Sequence, residues 1–315
     1  MQQIEFAPKP DELDGAGGKD FCAPMDAGSA GWVLWQDCRT GMKSIDDSAI
    51  SLVLTDPPYF IDGMDDGWDN TRLRSRIKPG VIGGLPIGMK FDRAQGRNLY
   101  KFLLPIAREW MRVIKPGGFA LCFSQPRLVH HTAMAMEDAG FEIRDMLAWR
   151  YEGQPKAFKQ EHFIRKRNLP AEVKERMISE LEGRKTPQLK PQMELIVLAQ
   201  APRDGTYADN WLQHRAGLID TSNPLVQPAQ FPGTVIPVPK TRERCGHMTA
   251  KPVDLLRHLI RIFCARGKDA TVLDSFAGSG STGVAARLEG RGFMGFHKYQ
   301  LTAIDADRRV AEATR

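Results

Sequence analysis

Cysteine is scarce in this chain: five residues in 315, odd in number, scattered, with no Cys-x-x-Cys pair. Cys22, Cys38, Cys122, Cys245 and Cys264 read as reduced thiols, which argues against a disulfide framework and against a zinc site. Long apolar runs are also missing, and the N-terminus lacks the basic-then-apolar plan of a signal peptide. A cytoplasmic protein with no membrane segment and no metal is expected. There is no internal repeat or low-complexity tract. Acidic residues are the minority among the charged ones, giving a formal net charge of +6. A mild attraction to polyanions follows, with a phosphate backbone the commonest such partner, although an ordinary basic enzyme has the same balance.

Six short apolar runs punctuate the chain at residues 32–35, 50–54, 119–123, 194–199, 271–273 and 293–296. Near-continuous apolar runs of strand length suit parallel strands covered on both faces. Helical spacing lies between several of them, over Asn98–Ile114, stopped by Lys115-Pro116-Gly117-Gly118, and over Val253–Ala265. Strands alternating with helices predict a doubly wound, mostly parallel α/β sheet with ligands at the carboxyl ends of its strands. Residues 1–31 read as an irregular lead-in, and Phe60–Arg97, rich in Gly and Asp, as a long mobile loop. Between Tyr151 and Arg244, basic residues are interleaved with Tyr151, Phe158, Phe163 and Trp211. That mixture suits a nucleic-acid surface, with Lys156, Lys159, Arg165, Lys166 and Arg167 as candidate DNA contacts; a solvated helical face around Ala171–Leu181 is the bland alternative.

Two motifs carry chemistry. Asp56-Pro57-Pro58-Tyr59 follows the apolar run 51–55 directly, at the strand end where this fold class builds its site. An exocyclic amino nitrogen is a poor nucleophile because its lone pair is delocalised into the ring. Catalysis on it needs acceptors that hold both amino hydrogens. The Asp56 carboxylate and the Pro57 carbonyl can supply them, the latter aimed by the fixed dihedrals of Pro57 and Pro58. Tyr59 offers a face on which a base swung out of the duplex can stack. A strand-ending turn is the plain alternative for the tetrapeptide taken alone. The second motif is Val272-Leu273-Asp274-Ser275-Phe276-Ala277-Gly278-Ser279-Gly280-Ser281-Thr282-Gly283, a strand entering a Gly-rich turn and then a helix. Glycines there let the backbone approach a nucleoside. The same residues match the dinucleotide fingerprint weakly, because the acidic residue wanted about 20 positions on is missing, and no Gly-Lys-Ser/Thr follows to make a phosphate loop.

These two motifs, with His247-Met248-Thr249-Ala250-Lys251-Pro252 before the second, resemble the amino-methyltransferases of DNA. The tetrapeptide precedes the cofactor loop, with a basic variable stretch between, and that order is similar to the beta class. The resemblance covers about Trp32–Phe296. It implies a permuted class I methyltransferase fold divided into a catalytic half (32–150), a target-recognition region (151–244) holding one core strand, and a cofactor-binding half (245–315). It implies S-adenosyl-L-methionine as methyl donor, leaving S-adenosyl-L-homocysteine, and double-stranded DNA as substrate, with the base flipped and the methyl transferred by direct in-line displacement. Asp56, Pro57, Pro58 and Tyr59 are then catalytic. Cofactor contacts fall to Asp37, Asp56, Thr249, Lys251, Asp274, Phe276, Ala277, Gly278, Ser279, Gly280, Ser281, Thr282 and His297. His297 stands where the family has an acid for the ribose, and Met248 where it has Pro. Asp at the first tetrapeptide position points to adenine N6, with cytosine N4 as the alternative. Methylation of RNA or of a protein amide, and a silent DNA-binding module, are the rival readings. A homodimer and a cognate restriction endonuclease stay open as partners.

Overall fold

The computed structural model describes residues 32–58, 93–240 and 250–313. Their strands form one eight-stranded sheet: β1 (Trp32–Trp35), β2 (Ile50–Thr55), β3 (Ile114–Ser124), β4 (Glu142–Arg150), β5 (Met193–Gln200), β6 (Val235–Pro237), β7 (Thr271–Asp274) and β8 (Gly292–His297). The order across the sheet is β1-β8-β7-β2-β3-β5-β4-β6. Every neighbouring pair is parallel except those of β5, which runs antiparallel to both β3 and β4. The helices are α1 (Cys38–Gly41), α2 (Gln95–Val113), α3 (Val129–Glu137), α4 (Glu161–Arg165), α5 (Ala171–Glu180), α6 (Tyr207–His214), α7 (Val253–Phe263), α8 (Ser281–Leu288) and α9 (Gln300–Glu312). The alternation of side chains along each strand splits the core into two layers. Leu52, Leu54, Leu121 and Phe123 face α7, α8 and α9, whereas Val53, Ala120 and Cys122 face α2 and α3. Helices on both faces explain why β2 is buried at all six positions and reads as an unbroken apolar run.

The six expected strands are present. Two were hidden: β6, only three residues long, and β4, whose register shifts between Ile143 and Asp145. That bulge breaks the period-two pattern, so Leu147 and Trp149 are buried without a clean alternation before them. Helix α2 starts at Gln95, inside the stretch expected to be loop up to Arg97. Lys115–Gly118 ends that helix but is itself the beginning of β3, with Gly117 at φ 72°. The expected tail 1–31, most of the loop, Tyr59 and Thr249 lie outside the described residues.

Strand β5 divides the stretch 151–244 between the two edges of the sheet. Because β5 enters the sheet at the carboxyl end of β3, with Ser124 opposite Leu195, residues 151–192 leave and return at the carboxyl edge of the parallel strands. Residues 201–234 begin at the opposite edge, where Phe119 pairs with Gln200. There α6, which carries Trp211, is fastened beneath β3 by Asn210 Nδ2 donating to the carbonyls of Pro116 (3.0 Å) and Ala216 (2.9 Å). Trp211 therefore has a scaffold position, away from the edge where Asp56 lies.

Candidate active site

The chain passes from β7 through α8 to β8 on one side and from β2 through α2 to β3 on the other. The strand order reverses between β7 and β2, and at such a point the loops part to leave a crevice. Asp274 ends β7 and Asp56 follows β2, so the two sequence motifs meet there. Thr55 ties them together: its Oγ1 donates to Asp274 Oδ1 at 2.7 Å, and the backbone N–H of Phe276 donates to the same oxygen at 3.0 Å. Burial pushes the Asp274 carboxyl up to about 6, against hydrogen bonds from Thr282, Thr55 and the Phe276 N–H that favour its charged form.

Asp56 is the more unusual group. Its Oδ2 pairs with Lys251 Nζ, while its Oδ1 is buried and has no hydrogen-bond partner among the described residues. A buried carboxylate oxygen left unsatisfied is costly and marks a place where a donor is expected to bind. Lys251 is shared, because Glu194 Oε2 at the start of β5 lies 3.4 Å from the same ammonium, which also sits 5.1 Å from the Phe123 ring centroid. Burial works against the Lys251 charge, but Asp56 and then Glu194 outweigh it and hold the ammonium above the ordinary lysine range. Around them, Lys240 stands 4.0 Å over the Tyr151 ring, and burial pushes the Tyr151 phenol up to about 12. Glu194 and Lys240 were absent from the expected site. The signal for Glu194 was a carboxylate opening an otherwise apolar strand, Met193-Glu194-Leu195-Ile196-Val197-Leu198.

The Gly-rich turn is packed closely against α9. Gly278 and Gly280 have φ of 50° and 76°, and a Cβ on Gly280 would lie 2.9 Å from the Ala306 carbonyl oxygen. Gly280 caps α8, where Ser281 and Thr282 are buried in the first turn. Arg309 Nη1 holds the turn from α9 by donating to Ser279 O and Ser281 Oγ, both at 2.9 Å. Ala277 N–H donates to Phe296 O at 3.0 Å, and Trp110 Nε1 to Ser275 Oγ at 2.7 Å, fixing the turn against both neighbouring layers. Phe276 is half-buried beside Phe102, ring centroids 5.8 Å apart. Along the same edge, Trp35 of β1 pairs with His297 of β8, and Gln36 N–H donates to His297 O at 3.0 Å. Asp37 caps α1 and accepts from Arg39 N (2.9 Å), Nε (3.0 Å) and Nη2 (2.8 Å), bonds that hold its carboxyl below the usual range. Asp37, His297, the turn and Asp56 thus line one continuous edge. The buried Asp274 carboxylate, the glycine turn that opens α8 and the unpaired Asp56 oxygen beside it fit a nucleoside cofactor next to an amine.

The candidate DNA contacts divide. Lys156, Lys159, Lys166 and Arg167 are exposed and make no ion pair among the described residues. Arg165, by contrast, is already bonded to Glu161 (2.9 Å) within α4 and to Glu175 (2.8 Å), the latter fastening α4 to α5. Helix α5 buries no residue, as the solvated reading of Ala171–Leu181 required.

A mostly parallel sheet covered on both faces, with a Gly-rich turn and a carboxylate at the switch point, defines the class I methyltransferase fold. The family model N6_N4_Mtase, described as DNA methylase, matches residues 50–302, and the chain belongs to that family. It is 26% identical over 278 residues to the type II methyltransferase M.HindIII of Haemophilus influenzae, covering 82% of this chain and 87% of that one. Among solved structures it resembles the PvuII DNA methyltransferase (cytosine-N4-specific), with a TM-score of 0.57, 16% identity and 90% and 86% of the two chains covered. It also resembles M1.HpyAVI in its SAM complex, with a TM-score of 0.51, 16% identity and 89% and 99% covered. Among the described residues, no helix is long and apolar enough to cross a membrane, and no cluster of His, Cys, Asp and Glu could hold a metal.

Proposed function

We propose that this DNA methyltransferase transfers the methyl group of S-adenosyl-L-methionine to the N6 amino group of adenine in double-stranded DNA. The observation that carries the reading is the state of Asp56: one carboxylate oxygen fixed by Lys251, the other buried and unsatisfied, next to the turn that suits the cofactor. A flipped adenine would give one amino hydrogen to Asp56 Oδ1 and the other to the Pro57 carbonyl. Its lone pair then points at the sulfonium methyl, and the transfer proceeds in line without a covalent enzyme intermediate. S-adenosyl-L-methionine supplies an activated methyl on sulfur. Asp274, Phe276 and the residues 277–282 would hold it, with Asp37 and His297 toward its nucleoside end. Asp rather than Ser at position 56 supports adenine over cytosine.

The test is transfer from tritiated S-adenosylmethionine to DNA, RNA and protein side by side, followed by nucleoside analysis of the labelled product. Label in N6-methyl-2'-deoxyadenosine from DNA is expected. Label in N4-methylcytosine would overturn the base assignment, and label confined to RNA or protein would overturn the DNA reading.

A further inference from the structure

Glu194 belongs to neither sequence motif, yet it reaches the catalytic carboxylate through one ammonium. The three groups come from separate segments: Asp56 after β2, Lys251 just before α7, and Glu194 at the start of β5. Resting on the reading that Asp56 holds the target amine, we propose that Glu194 is a positioning residue for methyl transfer. It takes a second N–H of Lys251, fixes the ammonium on Asp56 Oδ2 and thereby reserves Asp56 Oδ1 for the amine. A buried lysine facing a single carboxylate can swing between its two oxygens and neutralise the acceptor. A second carboxylate on the far side stops that movement. It also leaves two negative charges around one positive charge, while the reaction moves positive charge from sulfur to the amine nitrogen, toward that excess. Lys240 and Tyr151 face Glu194 from the ends of β6 and β4, and Cys122 and Asp274 face Asp56. Burial keeps Tyr151 and Cys122 neutral at working pH. Lys240 stands over the Tyr151 ring, so the ammonium bonded to Asp56 is that of Lys251.

The experiment is single-turnover transfer of tritiated methyl to DNA by the full chain, comparing wild type, Glu194→Gln, Glu194→Asp, Lys251→Met and the double variant Glu194→Gln/Lys251→Met. Glu194→Gln should slow transfer roughly 10- to 100-fold, the range covered by a hydrogen bond to a charged group, while calorimetric affinity for S-adenosylmethionine stays within about twofold. Because Glu194 helps hold Lys251 protonated, the alkaline limb of the pH–rate profile should move to lower pH in Glu194→Gln and return in Glu194→Asp, which keeps the charge. In the Lys251→Met background, Glu194→Gln should add less than about a twofold loss. A wild-type rate in Glu194→Gln, an alkaline limb unmoved in it, or an equal loss with and without Lys251 would overturn the role. A wild-type chain that transfers nothing to DNA overturns the functional reading as well, whereas an active wild type with an unimpaired Glu194→Gln overturns this inference alone.

Discussion

At the scale of single residues, the site depends on how burial acts on charge. Asp274 is buried and its carboxyl is raised to about 6 chiefly by that burial. A carboxyl whose folded pKa lies above the unfolded value of 3.8 costs stability as pH rises through that interval, because the folded state must then give up a proton it holds more tightly. The cost at neutral pH is on the order of 3 kcal/mol. Asp274→Asn removes it while keeping Oδ1 for Thr55 and Phe276 and offering N–H to the Thr282 hydroxyl. Without cofactor, the variant should melt no lower than wild type at pH 7.5, and its affinity for S-adenosylmethionine should fall. Thermal melting and calorimetric titration check both halves; a lower melting temperature with unchanged affinity would make Asp274 a purely structural residue.

At the scale of elements, the excursion 151–192 leaves and returns at the sheet edge where Asp56 lies. Its anchoring is local: Tyr151 N–H donates to Gln192 O at 2.9 Å, and Gly153 packs so close to Pro191 that a Cβ would come within 1.8 Å of its carbonyl oxygen. Beyond that neck, Lys156, Lys159, Lys166 and Arg167 are exposed without an ion pair among the described residues, whereas Arg165 spends part of its guanidinium joining α4 to α5. Neutralising the four together should lower the slope of log affinity for DNA against log salt by about one for each phosphate that is no longer neutralised. Arg165→Ala alone should leave that slope unchanged. Fluorescence anisotropy at several salt concentrations separates the cases, and a slope insensitive to the fourfold variant would turn the excursion into a solvated surface.

At the scale of the whole molecule, α7 is fastened to the stretch 201–234 by side-chain hydrogen bonds. One fastening titrates. His258 of α7 is buried, and its Nδ1 accepts the backbone N–H groups of Leu225 (3.2 Å) and Val226 (3.1 Å). Burial, with a smaller effect of Arg261, lowers its pKa from 6.5 to about 4. The unfolded chain therefore binds a proton before the folded one does, and stability should be lost as pH falls from 6.5 toward 4, by up to about 3 kcal/mol from this group. His258→Gln, which cannot titrate, should be less stable at pH 7 and lose less over that interval. Thermal melts across the range decide it; parallel slopes for the two proteins would locate the acid sensitivity elsewhere.

Some of this was determined by the sequence alone. Six strands were legible because strands covered on both faces must be continuously apolar, and the Asp56 and Gly278–Gly280 motifs were legible as strand-end turns because each is a run of adjacent residues. Strand β4 was not legible, since its bulge disrupts the alternation that marks a strand. The core strand within 151–244 was legible, but composition does not say at which edge of a sheet the flanking segments emerge; the antiparallel insertion of β5 decides that. Arg165 and Lys156 are the same kind of residue in the sequence and differ in whether a carboxylate has reached them. The tertiary structure alone decided the link from Asp56 through Lys251 to Glu194. Those residues are 195 positions apart at the extremes, and no local pattern encodes which buried charges must share one ammonium. Burial forces the pairing, and burial is a property of the packed sheet edge.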